Sequence, residues 1–172
     1  MYSPGPGLIS PDKVGYFASR YKPGLDLRKV KAPIEGKKGQ FHYYWDTDTS
    51  AIAHLTNMVV YVSSRYKPGS CPYEAIATHE RVHGKDAVSS FNLHKDSLFT
   101  DLEGITVPQA ATPFEGTGAD VDAEEARLAS KVGASLQRFG QKFHKSYSKL
   151  KAYRDSAHQY EKVNKQCPKG EW

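Results

Sequence analysis

The chain has 172 residues, 38% hydrophobic and 25% charged, which suits a soluble globular protein with one domain and a real core. No apolar run approaches the ~20 residues of a membrane span, and residues 1–15 lack the charged start and apolar stretch of a signal peptide. The net charge of +5 is spread along the chain, so it reads as a solvated surface, and no nucleic-acid partner is expected.

Residues 1–13 carry three prolines and two glycines and read as an irregular arm ending near residue 15. Ser19-Arg20-Tyr21-Lys22-Pro23-Gly24 recurs as Ser64-Arg65-Tyr66-Lys67-Pro68-Gly69. Lys-Pro-Gly is turn chemistry, because proline presets φ and glycine supplies φ > 0, so both copies read as turns. Residues 26–46 are strand-rich, with the aromatic run Phe41-His42-Tyr43-Tyr44-Trp45, and 46–49 read as a turn. Residues 56–63 form the clearest strand. It is either an ordinary sheet strand or one that borders a cleft and pairs with an extended substrate. His42 and His54 read as surface or satisfied histidines rather than ligands.

The chemistry concentrates in His79-Glu80-Arg81-Val82-His83, a His-Glu-x-x-His motif. Residues four apart on a helix lie one turn apart on the same face, so His79 and His83 can aim two imidazoles at one zinc ion. Glu80 sits about 100° round the helix, beside the metal, where it can act as the base that deprotonates a zinc-bound water. The helical setting is supported by a stripe of Ile76, His79, His83 and Ala87, with Glu74, Arg81 and Lys85 opposite and Pro72 in the first turn. The helix is expected to continue towards Leu98. His94 then lies about 16 Å along the axis from His83 and cannot share its metal. Ser89 stands where a metzincin would have its third histidine.

Residues 99–121 read as a long loop, a wall or lid of a cleft. From Asp122 to about Val163 the pattern is helical, with Leu128, Val132, Leu136, Phe139, Phe143, Leu150 and Tyr153 at 3-and-4 spacing. Gly133 and Gly140 are expected to weaken or kink it.

A catalytic zinc takes three protein ligands and keeps one open position, so one ligand must come from outside the motif. Glu124 and Glu125 open the long helix. On a helical wheel Glu125 falls within the apolar arc, where a carboxylate needs a partner or a metal, and Glu124 falls on the solvated flank. Glu125 is therefore the chosen third ligand, with Glu124 in reserve and Asp120 and Asp122 as further candidates. Cys71 and Cys167 are either free thiols or a bridge closing a loop of ~100 residues, worth ~4–5 kcal/mol on the chain-entropy model.

His79-Glu80-x-x-His83 followed by Glu125-Ala126 resembles the gluzincin metallopeptidases. The run from Cys71 to His83 resembles small secreted zinc proteases of bacteria in which a cysteine shortly precedes the motif. The resemblance covers residues 71–84 and 122–129, and the chain as a whole is expected to form one zincin-like α+β domain over residues 1–172, a small N-terminal sheet packed on the motif helix and a long C-terminal helix. The resemblance implies a zinc metallopeptidase acting on peptide or protein substrates, with His79, His83 and Glu125 holding zinc and Glu80 as the catalytic base; a monomer is expected. The compartment is expected to be secreted or periplasmic, the leader being absent from this chain, with the cytoplasm as the other option. Tyr153, His158 and Tyr160 are candidates for stabilising the oxyanion. Two other readings use the same motif: a zinc amidase on cell-wall peptides, and a non-catalytic envelope or partner-binding protein with a structural zinc. Only a catalytic site has a use for Glu80.

Overall fold

The computed structural model describes residues 15–46 and 49–172. The irregular arm expected at the N-terminus lies almost wholly outside them, as do two residues of the expected 46–49 turn. The elements in chain order are β1 (Gly15–Asp26), β2 (Lys29–Pro33), β3 (Phe41–Trp45), β4 (Ser50–Val62), α1 (Cys71–Glu103), β5 (Phe114–Gly116), α2 (Gly118–Arg154) and α3 (Ala157–Asn164). This is an α+β protein with two small sheets, β1-β4 and β2-β3-β5. No helix among the described residues is long and apolar enough to cross a membrane.

The chain forms two compact units, and it passes from one to the other within β1, β4, α1 and α2. One unit holds residues 21–55 and 90–145. Its sheet is antiparallel, with Lys29 opposite Trp45 and Tyr43 opposite Phe114. Alternation along β3 buries Tyr43 and Trp45. Its core joins Leu98 of α1 to Val132, Leu136 and Phe139 of α2, the stripe expected from the 3-and-4 spacing. The Tyr21 ring packs on Phe139 and Phe143, and its hydroxyl donates to the Leu136 carbonyl at 3.0 Å. Gly140 admits that ring, since a Cβ there would lie 3.0 Å from Tyr21 Cε1. Thus α2 runs through Gly133 and Gly140 without a break, and Gly140 marks a close approach.

The repeated hexapeptide takes two conformations. Residues 64–69 form the expected turn, with Gly69 at φ 83°. Residues 19–24 instead lie within β1, and Gly24 has no positive φ. Tertiary contact decides the difference: the half-buried anchorage of Tyr21 holds the first copy extended, overriding its local turn preference. The expected loop over 99–121 is likewise shorter, because α1 continues to Glu103 and Phe114–Gly116 pairs as β5.

The other unit has residues 15–20, 56–89 and 146–172 as its described part. It contains the motif half of α1, the end of α2, and α3. A disulfide joins Cys71, at the start of α1, to Cys167, just beyond α3, with Cα atoms 5.7 Å apart. Around it Ala75, Val163 and Cys167 make a small core. The start of β1 lies directly on α1. A Cβ on Gly15 would sit 2.6 Å from Ile76 Cγ2, 3.0 Å from the Tyr61 carbonyl oxygen and 3.2 Å from Glu80 Cγ. Gly15→Ala is therefore expected to lower stability by ~1–3 kcal/mol, the usual cost of overpacking, read as a shift in urea midpoint. An unchanged midpoint would show that β1 is not seated on α1.

Candidate metal centre

The motif helix begins with a side-chain cap: Ser70 Oγ accepts the Tyr73 amide hydrogen at 3.4 Å, ahead of Pro72 in the first turn. The stripe behaves as its spacing predicts. Ile76 and Ala87 are buried, His83 is 2% exposed, and Glu74, Arg81 and Lys85 face solvent. Glu80 is also buried, at 3% exposure, which is deeper than a position merely flanking the metal would need.

His79 and His83 stand edge to face, their ring centroids 4.9 Å apart. Both turn Nε2 towards the same oxygen, Asp155 Oδ1, at 3.5 Å from His79 and 2.9 Å from His83. Among the described residues these three side chains form the group able to share a metal ion, their ligand atoms lying within 4.8 Å of one another. Tetrahedral ligands on zinc are about 3.3 Å apart, given bonds near 2.0–2.1 Å. The two observed edges bracket that spacing. Nε2 of His79 is buried with no hydrogen-bond partner among the described residues. Such an atom is costly unless something binds it. Zinc fits the donor set, two imidazoles and a carboxylate. Burial pushes the His83 pKa below its usual value, against the opposing pull of Asp155. The imidazole is thus neutral at pH 7, the form a metal requires.

Asp155 reaches the site because α2 stops at Arg154, just before it. Arg154 donates to Asp86 at 2.9 and 3.5 Å, and Asp86 lies on α1 three residues after His83. That charge-assisted pair clamps the end of α2 to the motif helix and delivers the next residue to the two imidazoles. The Asp155 side chain remains 32% exposed, so the centre has an open side.

Two tyrosines complete the surroundings. The Tyr160 ring stacks at a tilt 5.1 Å from His79. Burial, then the charges of Asp155 and Glu80, push its pKa up to about 12. Burial and the same two carboxylates, with Asp86, do likewise for Tyr147. Both phenols hold their protons at neutral pH and can only donate to an anion, not repel it.

The other sequence candidates are engaged elsewhere. Glu125 is not in the cluster. It belongs to the other unit, where its carboxylate meets Lys29 Nζ at 2.6 Å. Glu124, expected on the solvated flank, is the more buried of the pair, 13% against 36% exposed, and pairs with Arg127. Asp120 caps α2, accepting from the Thr117 amide at 2.8 Å and hydroxyl at 2.7 Å, and those bonds hold its pKa low. Asp122 lies 3.8 Å from Lys29. His94 is absent from the cluster, as the unbroken α1 requires. Of the three oxyanion candidates, Tyr153 and His158 are exposed, and Tyr160 faces the centre.

Comparison with protein-family models, curated proteins and solved structures finds no match to this chain.

Proposed function

We propose that the protein is a zinc-dependent metallopeptidase of zincin-like architecture, with His79, His83 and Asp155 as metal ligands and Glu80 as general base. One observation carries this reading: two imidazole nitrogens, one of them buried and unbonded, converge on a single carboxylate oxygen beside a buried glutamate. The ligand set is two histidines and an aspartate, so the likeness to the gluzincins stops at the motif itself.

Zinc held by these residues would supply a Lewis acid that polarises a carbonyl and makes water acidic near pH 7. The chain supplies the proton handling and the positioning. Glu80, out of bulk water and one residue from His79, accepts the proton of the attacking water and returns it to the leaving amine nitrogen. Tyr160, protonated at working pH and packed on His79, donates a hydrogen bond to the carbonyl oxygen as negative charge grows there. The Arg154–Asp86 clamp keeps Asp155 in place. The Cys71–Cys167 bond supports a secreted or periplasmic setting, where disulfides persist.

Zinc titration of paired variants tests the ligand set. The wild-type chain should bind one zinc. Asp155→Ala should weaken binding by at least the 10–100-fold that loss of a mere supporting partner costs. Glu125→Ala should bind zinc as the wild type does, because its carboxylate serves Lys29. The reverse pattern, Glu125 essential and Asp155 dispensable, would overturn the site.

A further inference from the structure

A recess opens beside the proposed centre, and His79 and Glu80 form part of its wall. Ile76 and Val163, both buried, line it with aliphatic surface. Tyr66, Tyr160 and Trp172 line it with aromatic rings, and Tyr66 and Trp172 meet edge to face at 6.1 Å. Trp172 is fixed by its indole N–H, which donates to the Asn164 carbonyl at 2.9 Å. The recess has a volume of about 60 Å³, several times the ~10–15 Å³ that one water needs. That space suits a side chain of the size of leucine or phenylalanine.

Charge narrows the occupant further. Glu80 at the wall disfavours an acidic side chain. A basic side chain would have to leave its ammonium or guanidinium among mostly apolar walls. Either charge would also lose its hydration against aliphatic and aromatic walls. An apolar group gains there, and an aromatic one can extend the Tyr66–Trp172 edge-to-face pair.

We infer that this recess is the specificity pocket of the enzyme, and that it selects peptides with a leucine- or phenylalanine-sized side chain next to the scissile bond. The inference rests on the hydrolytic reading above. It adds a direction to it, since His79 and Glu80 belong both to the recess wall and to the proposed catalytic set, so the recess adjoins the place where a substrate carbonyl would be held.

Two measurements test it. The first uses the metal-free chain and needs no turnover. N-acetyl-leucinamide should shift the indole N–H resonance of Trp172, assigned with Trp172→Phe, and leave that of Trp45 unmoved, whereas N-acetyl-aspartamide should shift neither. An unmoved Trp172 signal at the solubility limit of leucinamide would overturn the pocket. The second uses zinc-loaded protein and a peptide library varied at one position. Leucine and phenylalanine should be favoured over aspartate and lysine by roughly 10–200-fold in kcat/KM, the range an apolar pocket provides. Trp172→Ala should shrink that ratio by ~10-fold or more. Equal cleavage of all members would overturn the pocket and leave the peptidase standing. No cleavage at all would overturn the peptidase, while the metal-free titration still decides the pocket.

Discussion

Glu80→Gln should abolish hydrolysis while leaving the metal in place. The side chain is 3% exposed and the amide has nearly the same shape, so packing is preserved. What disappears is the ability to accept a proton from water. Removing one general base typically costs ~10²–10⁴-fold, equivalent to ~2.7–5.5 kcal/mol in the barrier. Zinc content, melting temperature and peptide binding should stay near the wild-type values. Digestion of a peptide mixture, followed by mass spectrometry, is the readout. If the variant cleaves at the wild-type rate, Glu80 is not the base. If the wild type cleaves nothing while binding zinc tightly, the metal is structural.

Removal of the disulfide should have the largest effect on stability. Cys71 and Cys167 are separated by 96 positions, and the chain-entropy model gives ~4.7 kcal/mol for a loop of that length. Measured losses for native disulfides run at ~2–5 kcal/mol. Cys71→Ser with Cys167→Ser should lower the urea midpoint accordingly. Its effect on zinc should be smaller than that of Asp155→Ala, because Asp155 is also held through Arg154 and Asp86. A midpoint that ignores both the double variant and a reductant would mean that the bond does not form.

The two histidines and Glu80 were legible because their spacing carries the chemistry: four residues make one turn, and the apolar stripe fixes which side is inward. Asp155 was hidden by the same kind of pattern. Apolar spacing continues past residue 150, so the segment to Val163 read as one helix, and the stop at Arg154 left no gap in it. The helical wheel then sought a ligand on a helix face, whereas the structure brings a residue at a helix end to the two imidazoles. Two signals in the sequence pointed to this junction. Asp155-Ser156 is the residue chemistry of a helix start, and Ser156 is indeed the N-cap of α3. A bridge from Cys71 to Cys167 also requires the segment before Cys167 to return to the motif helix, which nominates Asp155 and Tyr160 over Glu125. Tyr21 and Tyr66 show the limit on the fold side: identical hexapeptides differ because one ring finds a core and the other an exposed edge partner.

The short junction between α2 and α3 restricts how this sequence can vary in length. One residue inserted between Tyr147 and Arg154 would rotate Asp155 by about 100° and advance it by about 1.5 Å. Both the clamp to Asp86 and the approach to His83 would be lost together. Working descendants of this chain should therefore keep the length of that helical stretch unaltered, even where its exposed residues are freely exchanged.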